Sequence, residues 1–251
     1  MGEREKAEDY RERAYRHALA PQEGLVSFRV RYQQSDLWIL ADCRARDRSE
    51  RLLLEARIQV EGYAGSLGGF VTSHLPLPMD PMAPSVVRDM LEAGWAAGVG
   101  PMAAVAGAIA QYVGEGLLGP CQEVMVENGG DLYLHAKRPI TAGIFAGGSP
   151  LSRKLGVRVG PEKMPVGIAT SSASVGHSWS YGTADAACVV ADRAALADAS
   201  ATALCNRVRS TSDMEPALGS VLGVAGVRGA LVILGESMAV QGDLELVALE
   251  P

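Results

Sequence analysis

Apolar and polar residues alternate through LVSFRVRY (25–32), and after the polar QQSD comes the apolar LWILA (37–41). Alternation with a period of two turns one face of a strand inward, and two such runs joined by a short polar turn predict a hairpin. From 47 to 63 the period lengthens: Leu52, Leu53, Ala56 and Val60 recur at helical spacing. VVRDMLEAGWAAGV (86–99) predicts a second helix, and GPMAAVAGAIAQYVGEGL (100–117) a third, very small-faced one, with Pro101 at its first position. The second half opens with EVMVEN (123–128) and DLYLHA (131–136), two strands around a Gly129–Gly130 turn. ITAGIFAG (140–147), KLGVRVG (154–160) and VGIATSS (166–172) read as further strands, divided by glycine and proline. ASVGHSWSYGTAD (173–185) is a polar loop and AACVVA (186–191) a buried strand. RAALADASATALCNRV (193–208) predicts a helix with Asp192 as its cap. A short helix near 213–225 and the strands ALVIL (230–234) and LELVAL (244–249) close the chain.

This order contains no regular β-α-β alternation, which argues against a parallel doubly wound sheet. It predicts an α+β fold, with antiparallel sheets covered by helices. Residues 1–22 form a charged helix or arm in this reading. Residues 23–251 form one domain, divisible into strand–helix–strand units of about 23–136 and 137–251.

Composition narrows the classes. Hydrophobic residues make up 48% of the 251, enough for a sizeable core, while aromatics are only 5% and glycines number 29. The net charge of −6 lacks the basic face of a nucleic-acid binder and offers no polybasic segment to an anionic membrane. The charged start, MGEREKAEDYRERAYRH, has no apolar core of a signal peptide, and no apolar run reaches the ~20 residues of a membrane span. A cytoplasmic location is the expectation. Cys43, Cys121, Cys188 and Cys205 are scattered without CxxC pairing, and all four are expected to be reduced and structural.

Four stretches carry candidate chemistry, each beside a plain structural alternative. In ADASATAL (197–204), Asp198 and Thr202 stand one helical turn apart among alanines. Two such oxygens suit a hard cation such as Mg²⁺. Equally, Asp198 is a helix cap and Thr202 bonds back to its own helix. In NGGD (128–131), the glycines supply the positive φ of a tight turn, or let a phosphate approach bare amides. In GIATSSASVGHSWSYG (167–182), His177 sits in a hydroxyl-rich loop, as a proton acceptor or as a loop residue bonding backbone. The start of the 100–110 helix either packs closely or presents amides to an anion. The chain has no GxxxxGK[ST], and no GxGxxG set between a strand and a helix.

Taken in order, NGGD, GIATSS, an isolated histidine and AD-x-x-AT on a helix resemble the ApbE superfamily of flavin transferases, in a compact branch. The resemblance runs over about 95–208. It implies an ApbE-like, T-fold-like architecture. It implies an enzyme that cleaves the pyrophosphate of FAD and joins FMN to a Ser or Thr of an acceptor protein, releasing AMP. It puts Mg²⁺ on Asp198 and Thr202, the nucleotide or flavin along Asn128, Gly129, Gly130, Asp131, Ala169, Thr170 and Ser171, and the catalytic base at His177. The 100–110 helix start would lend a backbone carbonyl near the metal. The stretch AAVAGAIAQ carries Ala106 and Gln111 where that family has a lysine and an aspartate, the latter an anchor for the cofactor. The alternatives are a ligand-binding module without chemistry on the same fold, or a transferase using another ligand. Exposed sheet edges leave a homo-oligomer open.

Overall fold

The computed structural model describes residues 24–173 and 181–249. The expected hairpin is present: β1 (Val26–Tyr32) and β2 (Ser35–Ala41) pair antiparallel with Tyr32 opposite Ser35. It joins β3 (Val124–Asn128), β4 (Asp131–His135), β7 (Val166–Ser171), β8 (Ala186–Ala191), β9 (Val227–Leu234) and β10 (Ser237–Gly242) in one eight-stranded sheet. Its order is β1-β2-β3-β4-β7-β8-β9-β10, and every neighbouring pair is antiparallel. β5 (Ile140–Gly143), β6 (Leu155–Val159) and β11 (Glu245–Ala248) form a second, three-stranded antiparallel sheet. The fold is the expected α+β class, with antiparallel sheets and covering helices.

Five α-helices are described: α1 (Arg46–Ser66), α2 (Ser85–Ala97), α3 (Val105–Leu117), α4 (Ala194–Arg207) and α5 (Met214–Leu222). One face of the large sheet carries them; its alternate residues point the other way, toward the small sheet. Val124, Val126 and Tyr133 pack with α1–α3, and Ala169, Val189 and Val232 pack with α4 and α5. Leu134, Ile168 and Leu231 pack instead with Ile140, Val157 and Val159 of the small sheet. On α1 the buried positions Ser49, Leu53, Ala56 and Val60 follow the three-and-four spacing of one helix face. No single helix among the described residues is long and apolar enough to cross a membrane.

Four expectations are corrected. The helix expected over 100–117 is two pieces, a 3₁₀ turn at Pro101–Ala104 and then α3, because a fresh helix start is created where Asp198 takes up the amides after Val105. Asp192 does not cap α4: it accepts from Arg228 Nε at 2.6 Å, and the helix begins after Arg193. The strand expected over 140–147 ends at Gly143. Cys43 and Cys121 are joined in a disulfide, whereas Cys188 and Cys205 are buried thiols. The two joined cysteines lie 78 residues apart, in the loop before α1 and the turn after α3. The packing of α1 on α3 brings those segments together, with Cα atoms 5.3 Å apart, which no short-range spacing announces.

Candidate functional site

The β3–β4 turn does what its glycines predict. Gly129 (φ +69°) and Gly130 (φ +108°) take the left-handed region, and Asn128 pairs directly with Asp131. The Gly130 amide donates to Glu127 Oε1 at 2.8 Å. A Cβ at either glycine would meet nothing within 4 Å, so the bend has open space beside it. By strand alternation Asn128 and Asp131 face the helices. Asn128 Nδ2 donates to the carbonyl of Ala106 at 3.0 Å, fastening the turn to the first turn of α3.

From the other side α4 reaches the same place. The Gly107 amide donates to Asp198 Oδ2 at 2.9 Å, and the Ala106 amide also bonds this carboxylate. Asp198 therefore caps α3 from a neighbouring helix, satisfying amides that a helix start leaves unpaired. The approach is very close: a Cβ on Gly107 would lie 2.2 Å from the Ala194 carbonyl oxygen. Only glycine fits there.

α4 is capped in return. Gln111, on α3 and 2% exposed, accepts the Ala194 amide at 3.0 Å and the Ala195 amide at 3.5 Å through Oε1. Its Nε2 donates to Asp89 Oδ2 at 3.3 Å, and Asp89 is also paired with Arg193. Gln111, which stands where the resembled family has an aspartate, is buried and committed to holding two helices in register.

Asp131, 7% exposed, completes the cluster. Burial first, then the charges of Asp198 and Glu127, push its carboxyl well above the usual range, and the Thr170 amide opposes this by donating to it. Burial also pushes Asp198 up to about 7, against the pull of the Gly107 and Ala106 amides. Two acids share one confined space and each disfavours ionisation of the other. Thr202 lies one turn beyond Asp198 and, like it, is partly exposed. Carboxylate and hydroxyl oxygens of this kind suit a hard divalent cation, which would offset the repulsion between the acids. The donor set fits Mg²⁺.

The structure thus brings together Asn128, Asp131 and Asp198 at the start of α3, with Thr202 a turn away. The β7 residues are less uniform. Ala169 is fully buried beneath α4. Thr170 gives its amide to Asp131, but its side chain bonds the Cys188 thiol, which is buried on the opposite face of the sheet. Ser171 is half-buried at the strand end. His177 lies outside the described residues. Gln111 and Gly107 build the site by joining α3 to α4, a role the sequence reading did not assign them, and the small-residue stretch from Ala103 to Ala110 is the signal that a second helix comes close.

Fold and site define a class: a protein of the flavin-transferase fold with an acidic corner where helix and turn meet. The flavin transferase ApbE of Vibrio cholerae superposes with a TM-score of 0.59 at 14% identity, covering 87% of this chain and 96% of that one. The apo flavinyl transferase ApbE of Pseudomonas stutzeri gives 0.57 at 16%, covering 89% and 96%. At these identities the likeness concerns the fold. The family model described as AbpE bacteria matches residues 16–227, and the chain belongs to that family. A UPF0280 protein of Methanocaldococcus jannaschii is 39% identical over 202 residues, covering 78% of this chain and 82% of its own. Another, of Methanosarcina barkeri, is 36% identical over 231 residues and 91% of each chain.

Proposed function

We propose that the protein is a Mg²⁺-dependent transferase acting on FAD or a related pyrophosphate, which passes the FMN half to a Ser or Thr hydroxyl of an acceptor protein. The observation that carries this is the meeting of Asp198 and Asp131 with the start of α3. Asp198 and Thr202 would hold the cation, with Asp131 close by. When bound, the cation supplies charge neutralisation at the phosphate oxygens. Asn128, Gly129 and Gly130 line the substrate, the glycines because their open side admits it to the backbone. In this reading His177 takes the proton of the acceptor hydroxyl, the acceptor oxygen bonds to phosphorus, and AMP leaves.

A second reading is a binding module without chemistry. It is favoured by Ala106, which presents no positive side chain to phosphate, and by the commitment of Gln111 to α4. One experiment tests both. Mg²⁺ with FAD raises the melting temperature of the wild type, and Asp198→Ala removes the rise, since a ligand bound to the native state stabilises it. With a Ser- or Thr-bearing acceptor present, AMP release marks the transferase. Binding without AMP, in the presence of an acceptor flavinylated by an authentic transferase, marks the module. Absence of any Mg²⁺-dependent shift overturns both.

A further inference from the structure

From Ala194 to Asn206, α4 is buried at every position except Asp198, Thr202 and Asn206. Steps of four place these three on one stripe. The stripe is the only line of that helical span open to solvent, and at 1.5 Å per residue it runs about 12 Å from Asp198 to Asn206. At the far end Asn206 Oδ1 accepts the Tyr181 amide at 2.9 Å. The Tyr181 ring is 52% exposed and meets the exposed His74 ring edge to face, with centroids 5.7 Å apart and planes at 78°.

That meeting is built by backbone. A Cβ on Gly182 would lie 1.8 Å from the Cys205 carbonyl oxygen, and one on Gly100 would lie 1.8 Å from the Ser73 carbonyl oxygen. The Gly100 amide also donates to the His74 carbonyl at 3.1 Å. One close approach seats the Tyr181 segment on α4, and the other seats the His74 segment on Gly100, at the head of the 3₁₀ turn that packs against α4; each segment delivers an aromatic ring to the surface. A perpendicular pair leaves a face of each ring uncovered by the other. In a chain with only 5% aromatic residues, an open ring pair at the end of the acid-bearing stripe is a distinctive surface.

We propose that this stripe is the floor of a furrow for a two-part ligand: phosphates at Asp198 and Thr202, and a planar heteroaromatic ring against Tyr181 and His74. The assignment rests on Asp198 and Thr202 being the cation ligands, and it adds the ring-binding end. A span of about 12 Å suits a ring carried on a sugar or sugar-alcohol chain away from its phosphates. Stacking tolerates any flat ring, so adenine and isoalloxazine share the required chemistry.

Calorimetric titration of the full chain in Mg²⁺ with pyrophosphate, ADP and FAD tests it. Tyr181→Ala and His74→Ala each weaken ADP or FAD about tenfold. Pyrophosphate affinity is unchanged, and Tyr181→Phe restores the ring ligands. Loss with ADP identifies the ring as adenine; loss with FAD alone identifies it as isoalloxazine. Unaltered affinity for both ring ligands overturns the proposal, as does an equal loss for pyrophosphate. If the wild type binds pyrophosphate and the rings add nothing, only this inference falls. If it binds none of the three, the cation assignment falls with it.

Discussion

The starts of α3 and α4 are capped in the same way and serve different ends. Each receives an acceptor from the other helix: Asp198 of α4 takes amides of Ala106 and Gly107, and Gln111 of α3 takes amides of Ala194 and Ala195. At the α4 start the acceptor is a neutral amide, sealed from water and joined to Asp89 and Arg193. Such a group is fully satisfied and has nothing left to give. At the α3 start the acceptor is a carboxylate, partly open to solvent, with a second buried acid beside it. A carboxylate can cap a helix as well as an amide can. The added charge and the added acid create a local demand for a cation that the α4 start lacks. One cap is architecture alone; the other is architecture that also has a use.

The severest way to break this comparison is at the residue both caps depend on. Gly107→Leu sets a side chain into the Ala194 backbone, where even a Cβ comes within 2.2 Å of oxygen. Helices cannot yield as a flexible side chain can, so the loss of stability is about 3 kcal/mol or more. Urea unfolding measures it, and both caps are lost together. Gln111→Leu is next. It strips two buried amides of their acceptor and Asp89 of a donor, for about 2 kcal/mol. The Mg²⁺-dependent rise in melting temperature persists in this variant if the neutral cap is purely architectural. Asp198→Ala costs less, about 1 kcal/mol for the lost cap, because removing the charge also relieves Asp131. Yet it abolishes the Mg²⁺ response. Asp198→Asn keeps an acceptor for the Gly107 amide, so it matches the wild type at acid pH, where Asp198 is neutral, while losing the cation. Equal Mg²⁺ responses in the Gln111 and Asp198 variants would erase the distinction between the two caps.

How much of this was legible in the sequence differs by range. The Asn128–Asp131 hairpin is legible because its determinants are local: two glycines with positive φ between apolar strands. The α+β order is legible because short apolar runs bounded by glycine, proline and polar turns mark the strands, while spacings of three and four mark α1. Asp198 and Thr202 stand out as oxygens in an alanine helix. The exchange of caps is not legible, because Gln111 and Ala194 are brought together only by helix packing, and a buried glutamine looks like any other glutamine in a string. The Cys43–Cys121 bond is hidden for the same reason. Asp192 illustrates the opposite error. It satisfies the local rule for a cap, but Arg228 claims its carboxylate, and Gln111 has already taken the amides it would have served.

The smallest effect, and the finest test, is a pH dependence that only the charged cap predicts. Asp198 titrates at about 7 in the folded chain, against its ordinary 3.8, chiefly because burial penalises the charged form. Between those values the folded state holds more protons than the unfolded one. Stability contributed by the neutral acid is therefore full below 3.8, falls as pH rises through the window, and levels off above about 7. Asp131 adds in the same direction, and part of its shift comes from the charge of Asp198. Asp198→Asn should flatten the slope twice over, by removing one titrating group and by returning Asp131 toward its usual range. Gln111→Leu should not flatten that slope: it leaves Asp198 and Asp131 in place and takes a donor from Asp89 and Glu115, whose carboxyls burial already raises. Saturating Mg²⁺ on the wild type should flatten the curve as the Asn variant does, because a bound cation favours both carboxylates in their charged form. Urea midpoints across the window, with and without Mg²⁺, decide the matter. A wild-type slope that survives both the Asn substitution and the cation would mean that the acids do not sense each other, and the reason for separating the two caps would be gone.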